Sequence, residues 1–283
     1  MRLWTARQFN IAVMSNASLS LSAERLRIVL VGTQHPGNIG SAARAMKTMG
    51  FSRLVLVAPQ RFPDPEAYAL AAGANDVLEH AVCVDTLAQA VADCRLVLGC
   101  TARSRRIALE ELHPRQAASR SLATVEAGGE VALVFGRERT GLENDELQLC
   151  HAAVHIPANP DYSSLNLAAA VQILAYELRV GWSMDSAPPP ASPAVEIRGH
   201  EARSEPPATH AELEGFFSQL AETLDAIDFH KGRTPAAALR KFRRLFLRAD
   251  LDARDVRLLR GLLADARRMA DIAAGRLPPP GTP

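Results

Sequence analysis

Four short runs constrain this chain more than anything else in it. They lie in Arg27-Ile-Val-Leu-Val-Gly32, Leu54-Val-Leu-Val57, Leu96-Val-Leu-Gly99 and Val131-Ala-Leu-Val-Phe135. A strand with one wet face alternates apolar and polar residues, whereas these hold no alternation and must be buried on both faces. Val82-Cys-Val84 and Ala152 to Ile156 read as further short strands. Between them lie stretches with helical spacing: Asn38 to Met49, closed by Gly50, then Pro65 to Ala72, Thr86 to Ala92 and Leu165 to Trp182. Strands separated by helices predict an α/β domain, a parallel sheet covered on both faces. The reading places this domain at residues 27–182, behind a disordered leader at 1–26.

From residue 183 the composition changes. Residues 183–209 contain APPPASP and EPPA, which reads as a Pro-rich linker. Beyond it only helices are expected, at His210 to Ala226, Thr234 to Ala249 and Asp252 to Ala273, making a helical extension over 210–275 and a disordered tail at 276–283. The stretch from Lys231 to Arg248 holds seven basic residues and no acid. Leu239, Phe242, Leu245 and Phe246 are the expected buried stripe of its helix, with Lys241, Arg243 and Arg244 on a basic face.

Bulk properties exclude more than they identify. With 283 residues, 48% of them hydrophobic, the chain can build a substantial core and a smaller appended unit. A net charge of +1 gives no global argument for nucleic acid, so any such site must come from local clustering. The four cysteines (Cys83, Cys94, Cys100 and Cys150) form no CxxC pair, which argues against a structural metal or a disulfide framework and suits a reducing cytoplasm. No apolar run approaches the length of a membrane span.

Three segments at strand ends carry the candidate chemistry, since ligands of open α/β sheets bind beyond the carboxyl ends of the strands. The first, Gly32-Thr-Gln-His-Pro-Gly-Asn-Ile-Gly-Ser-Ala-Ala-Arg44, offers Asn38 as a helix N-cap and sets Arg44 about a turn and a half further along. Taken alone, an ordinary capped helix with a solvated arginine explains it better than a functional site does. It is neither a dinucleotide-binding G-x-G-x-x-G nor a phosphate-binding loop ending in Gly-Lys-Ser/Thr. The second, Phe135-Gly-Arg-Glu-Arg-Thr-Gly-Leu142, concentrates charge after a buried strand. Glu138 could anchor a loop through Arg137 or Arg139, accept from a ligand, or form a surface ion pair. The third is Ile156-Pro-Ala-Asn-Pro-Asp-Tyr-Ser-Ser-Leu-Asn166. There Ser163 or Ser164 could cap the following helix, and Asn166 could point inward.

In this order and spacing, N-x-G-x-x-x-R, F-G-x-E-x-x-G-L and I-P-x-N-P-x-Y-S-S-L-N resemble the three signature motifs of SpoU-type RNA methyltransferases of the SPOUT superfamily. A-R-A-M-K-T-M-G-F, G-C-T-A-R-S-R and K-F-R-R-L-F-x-R-A narrow the likeness to the bacterial TrmJ type. The resemblance implies a parallel sheet whose C-terminal part is tied into a trefoil knot, a homodimer, and S-adenosylmethionine held in the knot loops. By residue-wise carry-over these loops are Cys100, Thr101 and Ala102, then Gly136 with Glu138, then Ile156, Ser163, Ser164 and Leu165. It implies transfer of a methyl group to the ribose 2′-hydroxyl of the pyrimidine at position 32 of tRNA, with Arg44, Asn38, Ser164 and Asn166 as the catalytic set. RNA contacts are expected from Arg103, Arg105, Arg106, Lys241, Arg243 and Arg244. No metal and no membrane enter this reading. Ribosomal RNA as substrate, and a silent RNA-binding protein on the same scaffold, are the alternatives. Two departures from the TrmJ pattern are Gly32, where a polar or acidic residue is usual, and Cys100, which replaces a small hydroxyl-type residue.

Overall fold

The computed structural model describes residues 23–102, 109–184, 205–231 and 234–277. They divide into two compact units, the described residues up to 184 and those from 205 onward.

The first unit is built on strands β1 (Leu26–Val31), β2 (Arg53–Val57), β3 (Val82–Val84), β4 (Cys94–Cys100), β5 (Glu110–Leu112), β6 (Glu130–Phe135) and β7 (Ala152–Val154). Helices α1 (Pro36–Met49), α2 (Pro65–Ala71), α3 (Asn75–Glu79), α4 (Leu87–Val91), α5 (Pro114–Glu126), α6 (Asn144–Gln148) and α7 (Leu167–Met184) connect or follow them. Among the described residues the strands form one sheet in the order β3-β2-β1-β6-β4-β7-β5, and each pairing is parallel.

The absence of alternation has its expected meaning. In β1, Ile28 and Leu30 join a core layer with Ile39, Met46, Leu122, Val171 and Leu174 from α1, α5 and α7. Their neighbours Val29 and Val31 join the opposite layer with Leu87, Val91, Leu147 and Cys150. The amino end of β1 is pinned by Arg27, which donates to both carboxylate oxygens of Asp93 and to Glu130 at 2.6–2.9 Å. A cation so buried is costly to orphan, because the Arg27 guanidinium could not regain water.

Several boundaries differ from the sequence reading. The strand expected to run to Ile156 stops at Val154, and the helix expected from Leu165 starts at Leu167. Elements β5, α3, α5 and α6 carried no clear signal. The reason is visible in α5, whose buried face is largely Ala117, Ala118 and Ser121, and in β5, where two glutamates precede the one buried residue, Leu112.

The second unit holds α8 (His210–Ala226), α9 (Pro235–Arg248) and α10 (Ala253–Ala273). Reciprocal capping boxes open α8 at Thr209 and α10 at Asp252. Leu213, Phe216, Phe217, Leu220, Leu224 and Val256 form its core, against which Leu239, Phe242, Phe246 and Leu247 pack from α9. Leu245, expected in that stripe, is instead 52% exposed, because Leu247 takes the inward place.

Candidate active site

The three motif segments follow β1, β6 and β7 at the same end of the sheet, with β4 lying between the last two. Cys100 of β4 is level with Phe135 of β6 on one side and Val154 of β7 on the other, and Leu30 of β1 is level with Phe135. Strand sequence reverses between β1 and β6, the topological position at which open α/β sheets leave a crevice.

Beside it, at the carboxyl ends of β6, β4 and β7, a cleft of about 180 Å³ opens, and Cys100, Thr101, Ala102, Gly136, Glu138, Ile156, Ser163, Ser164 and Leu165 all line it. The sequence-derived cofactor set is thus brought together in one cavity. Backbone closeness shapes it: a Cβ on Gly136 would lie 2.1 Å from the carbonyl carbon of Gly141, so only glycine fits. Gly141 in turn donates to the Arg137 carbonyl at 2.8 Å, closing the loop. The Thr101 amide donates to Val154 at 3.0 Å and joins the first and third walls. Burial pushes the Cys100 thiol up to about 12, so it stands as a neutral, polarizable wall rather than a nucleophile.

A single hydrogen-bond relay ties the motifs to one another. The Glu138 carboxylate accepts from the backbone N–H of Gln34 at 3.0 Å, from that of His35 at 3.1 Å and from Asn38 Nδ2 at 2.9 Å. Asn38 Oδ1 accepts from Asn166 Nδ2 at 3.0 Å, and Asn166 Oδ1 accepts from Ala168 at 2.9 Å and Ala169 at 3.4 Å. With backbone donors at one end and a carboxylate at the other, both amides can point only one way. Burial alone would raise the Glu138 pKa. The Asn38 amide and the backbone N–H groups of Gln34, Glu138 and His35 outweigh it and hold the carboxyl below its ordinary value.

This relay corrects three assignments. Asn38 is not the N-cap of α1: His35 occupies that position without a capping side chain. The orphan donors around the start of α1 are met by Glu138, about a hundred residues away. Neither serine caps α7, because Asn166 does so. Nor does Glu138 pair with an arginine beside it. Arg137 contacts Glu146 at 3.0 Å and Glu143 at 3.6 Å, and it runs across Gly32, whose φ is +59° and whose Cβ would meet Arg137 Nε at 2.7 Å. Sequence reasoning missed Glu146 as the residue that orders this loop; its place in α6, a helix not anticipated, hid it.

Of the proposed catalytic residues, Asn38 and Asn166 are in direct contact and Ser164 lies in the cleft wall. Arg44 is exposed on α1 and is not among the lining residues. No described residue hydrogen-bonds or pairs with its guanidinium. Arg103, Arg105 and Arg106 fall outside the described residues. Lys241 and Arg244 are exposed on α9. Arg243 turns inward instead, pairing with Glu214 and lying 4.7 Å from the centre of the Phe217 ring. Among the described residues no cluster of His, Cys, Asp or Glu could hold a metal, and no helix is long and apolar enough to cross a membrane.

A parallel sheet with a glycine-floored cleft at the carboxyl ends of β4, β6 and β7 is the frame of an α/β domain that binds its ligand beyond the strand ends. Residues 25–176 match the SpoU rRNA Methylase family, and the chain belongs to that family. Residues 211–275 match the tRNA methyltransferase TrmJ, C-terminal domain. The chain is 51% identical over 241 residues to the tRNA (cytidine/uridine-2′-O-)-methyltransferase TrmJ of Klebsiella pneumoniae, covering 85% of this chain and 96% of that one. It is 46% identical over 247 residues to the tRNA (cytidine/uridine/adenosine-2′-O-)-methyltransferase TrmJ of Pseudomonas aeruginosa, covering 87% and 95%. In structure it is similar to TrmJ from Z. mobilis ZM4, with a TM-score of 0.70, 36% identity and coverage of 84% and 97%.

Proposed function

We propose that this protein methylates the ribose 2′-hydroxyl of the nucleotide at position 32 in the tRNA anticodon loop, using S-adenosylmethionine, as a cytoplasmic homodimer. The observation that carries the reading is the convergence of the loops after β4, β6 and β7 on one cleft, to which an intact Glu138–Asn38–Asn166 relay ties the first motif segment. High identity to tRNA 2′-O-methyltransferases over most of the chain supports the substrate class. The Pseudomonas aeruginosa relative's name includes a purine nucleoside beside two pyrimidines. We extend the base tolerance to this chain, with cytidine and uridine as its main substrates.

The cleft fits the cofactor. Backbone groups at Thr101 and Gly136 suit an adenine edge and the polar tail, while Ile156, Leu165 and the neutral Cys100 thiol suit the ring faces and the thioether. When bound there, S-adenosylmethionine supplies an electrophilic methyl group on a sulfonium. The protein's own task is to place a ribose hydroxyl in line with it, since positioning carries much of such a displacement. Ser164, Asn38 and Asn166 are held to orient that hydroxyl. A guanidinium is a permanent cation, so Arg44 serves by binding the adjacent phosphate and stabilising the developing alkoxide rather than by removing a proton. The knot reading is supported by the order of the sheet: β6 is laid between β1 and β4, and β7 between β4 and β5. That Arg44 lies outside the cleft lining supports an RNA site completed between two copies.

The test is transfer of labelled methyl from S-adenosylmethionine to unmodified total tRNA, with nucleoside analysis. Label in a 2′-O-methylated pyrimidine at position 32 is expected. The matched family's description names rRNA, so label entering ribosomal RNA alone would replace the tRNA reading. An Arg44→Lys pH–rate profile separates the two roles of Arg44: activity restored with a new basic pKa would favour proton removal.

A further inference from the structure

Among the residues lining or adjoining the cleft, one aromatic side chain has no structural duty. Tyr162 is 82% exposed, and among the described residues no ring stacks on it and no group hydrogen-bonds its hydroxyl. Its backbone, by contrast, is fixed. The Tyr162 amide donates to the Asn159 carbonyl at 2.9 Å, and the Asp161 amide donates to Asn159 Oδ1 at 3.1 Å. This turn sets the ring immediately before Ser163, Ser164 and Leu165, which line the cleft. The loop therefore holds a wet ring within three residues of the cofactor wall and takes no packing from it.

We propose that Tyr162 is a substrate-binding residue on whose ring the nucleobase of the target nucleotide stacks when its ribose enters the cleft. The proposal rests on the RNA 2′-O-methyltransferase reading above. Three features favour a nucleobase as the occupant. The ribose to be methylated must reach this cleft, so its own base must lie within one nucleotide's span of the residues around Ser164. Unstacked bases of RNA loops are bound on aromatic side chains, with exposed cations taking the phosphates. Arg44 and Arg139 are exposed on the first and second motif segments, and no described residue pairs with either guanidinium. Stacking is also tolerant of base identity, since every base has a π-face. Such a contact suits an enzyme accepting both cytidine and uridine, because their hydrogen-bonding edges differ.

The experiment compares full-length wild type, Tyr162→Ala and Tyr162→Phe. It measures kcat and KM for tRNA at saturating S-adenosylmethionine, cofactor Kd by calorimetry, and oligomeric state by light scattering. In Tyr162→Ala, KM for tRNA should rise about tenfold, the scale of one lost base–aromatic stack. Cofactor Kd and oligomeric state should stay unchanged, and Tyr162→Phe should keep KM within about twofold. An unchanged KM in Tyr162→Ala overturns the proposal, as does an equal loss in both variants. A proportionate loss of cofactor affinity would make Tyr162 part of the cofactor wall, and a change of oligomeric state would make it a contact between copies; either overturns the stack. Wild type inert on tRNA and ribosomal RNA would overturn the functional reading and this proposal with it. Active wild type with an indifferent Tyr162→Ala overturns this proposal alone.

Discussion

The two units of this chain spend their apolar residues in opposite ways. In the first, every residue of β1 is buried, and the core lies on both faces of the sheet. In the second, α9 has no fully buried residue and α10 has only Val256, while Leu258, Leu262 and Met269 stand more than half exposed along α10. The contrast follows from architecture. A parallel sheet must be covered on both sides, whereas three helices share one seam and leave their outer faces to solvent. Hence the first unit can hold loops in fixed mutual geometry, and the second is mostly surface. On the function proposed above, chemistry falls to the first and RNA contact to the second.

The largest effect expected from breaking this division comes at Phe216, which is 1% exposed and meets Phe246 edge-on at 4.8 Å. Phe216→Ala should cost about 3–5 kcal/mol. Calorimetry should show the loss confined to the second unit, with cofactor affinity in the first unchanged. A fall in cofactor affinity to match would mean that the two units act as one.

A smaller effect is expected at Glu138. Glu138→Gln leaves at least one of its three donors poorly met and should cost the first unit about 1–3 kcal/mol. Because the folded carboxyl is held below its ordinary value, its contribution is complete above the unfolded pKa of about 4.3. It is lost as pH falls through the lower folded value. Acid titration of stability should therefore show a drop below about pH 4 in wild type, and this component should be missing from Glu138→Gln. An identical acid limb in both would sink the relay's assigned role.

The smallest effect tests reach. Lys241 and Arg244 are exposed on α9. Replacing both with alanine should weaken tRNA binding and reduce the log–log salt dependence by about 0.9 per lost phosphate contact. Arg243→Ala should act differently. It removes an internal pair with Glu214, so stability falls before any salt slope changes.

How far the sequence reached depended on what each element buries. Unalternating strands were legible because two covered faces require them. The helix α5 was not, since alanine and serine facing inward look the same as alanine and serine facing out. Long-range capping was also hidden: nothing in the order of residues says that Glu138 rather than Asn38 satisfies the start of α1, because the two are joined only by folding. Leu245 was misplaced against Leu247 because small differences in helix phase move a residue off a narrow stripe. The cofactor wall came as a set through likeness to a family, and its convergence on one cleft is what the residues alone could not have supplied. Tyr162 stood in the third motif without a role until its exposure was known.

The most direct test of the division of labour is single-turnover methyl transfer to tRNA by Arg44→Ala beside wild type, with cofactor Kd and thermal stability measured on the same samples. An exposed arginine with no described partner predicts an unchanged melting temperature and cofactor affinity with a rate lower by about 10²–10³-fold, the range for losing one preorganised charge stabiliser. A rate within a few-fold of wild type would contradict the account and require the transition-state charge to be met elsewhere.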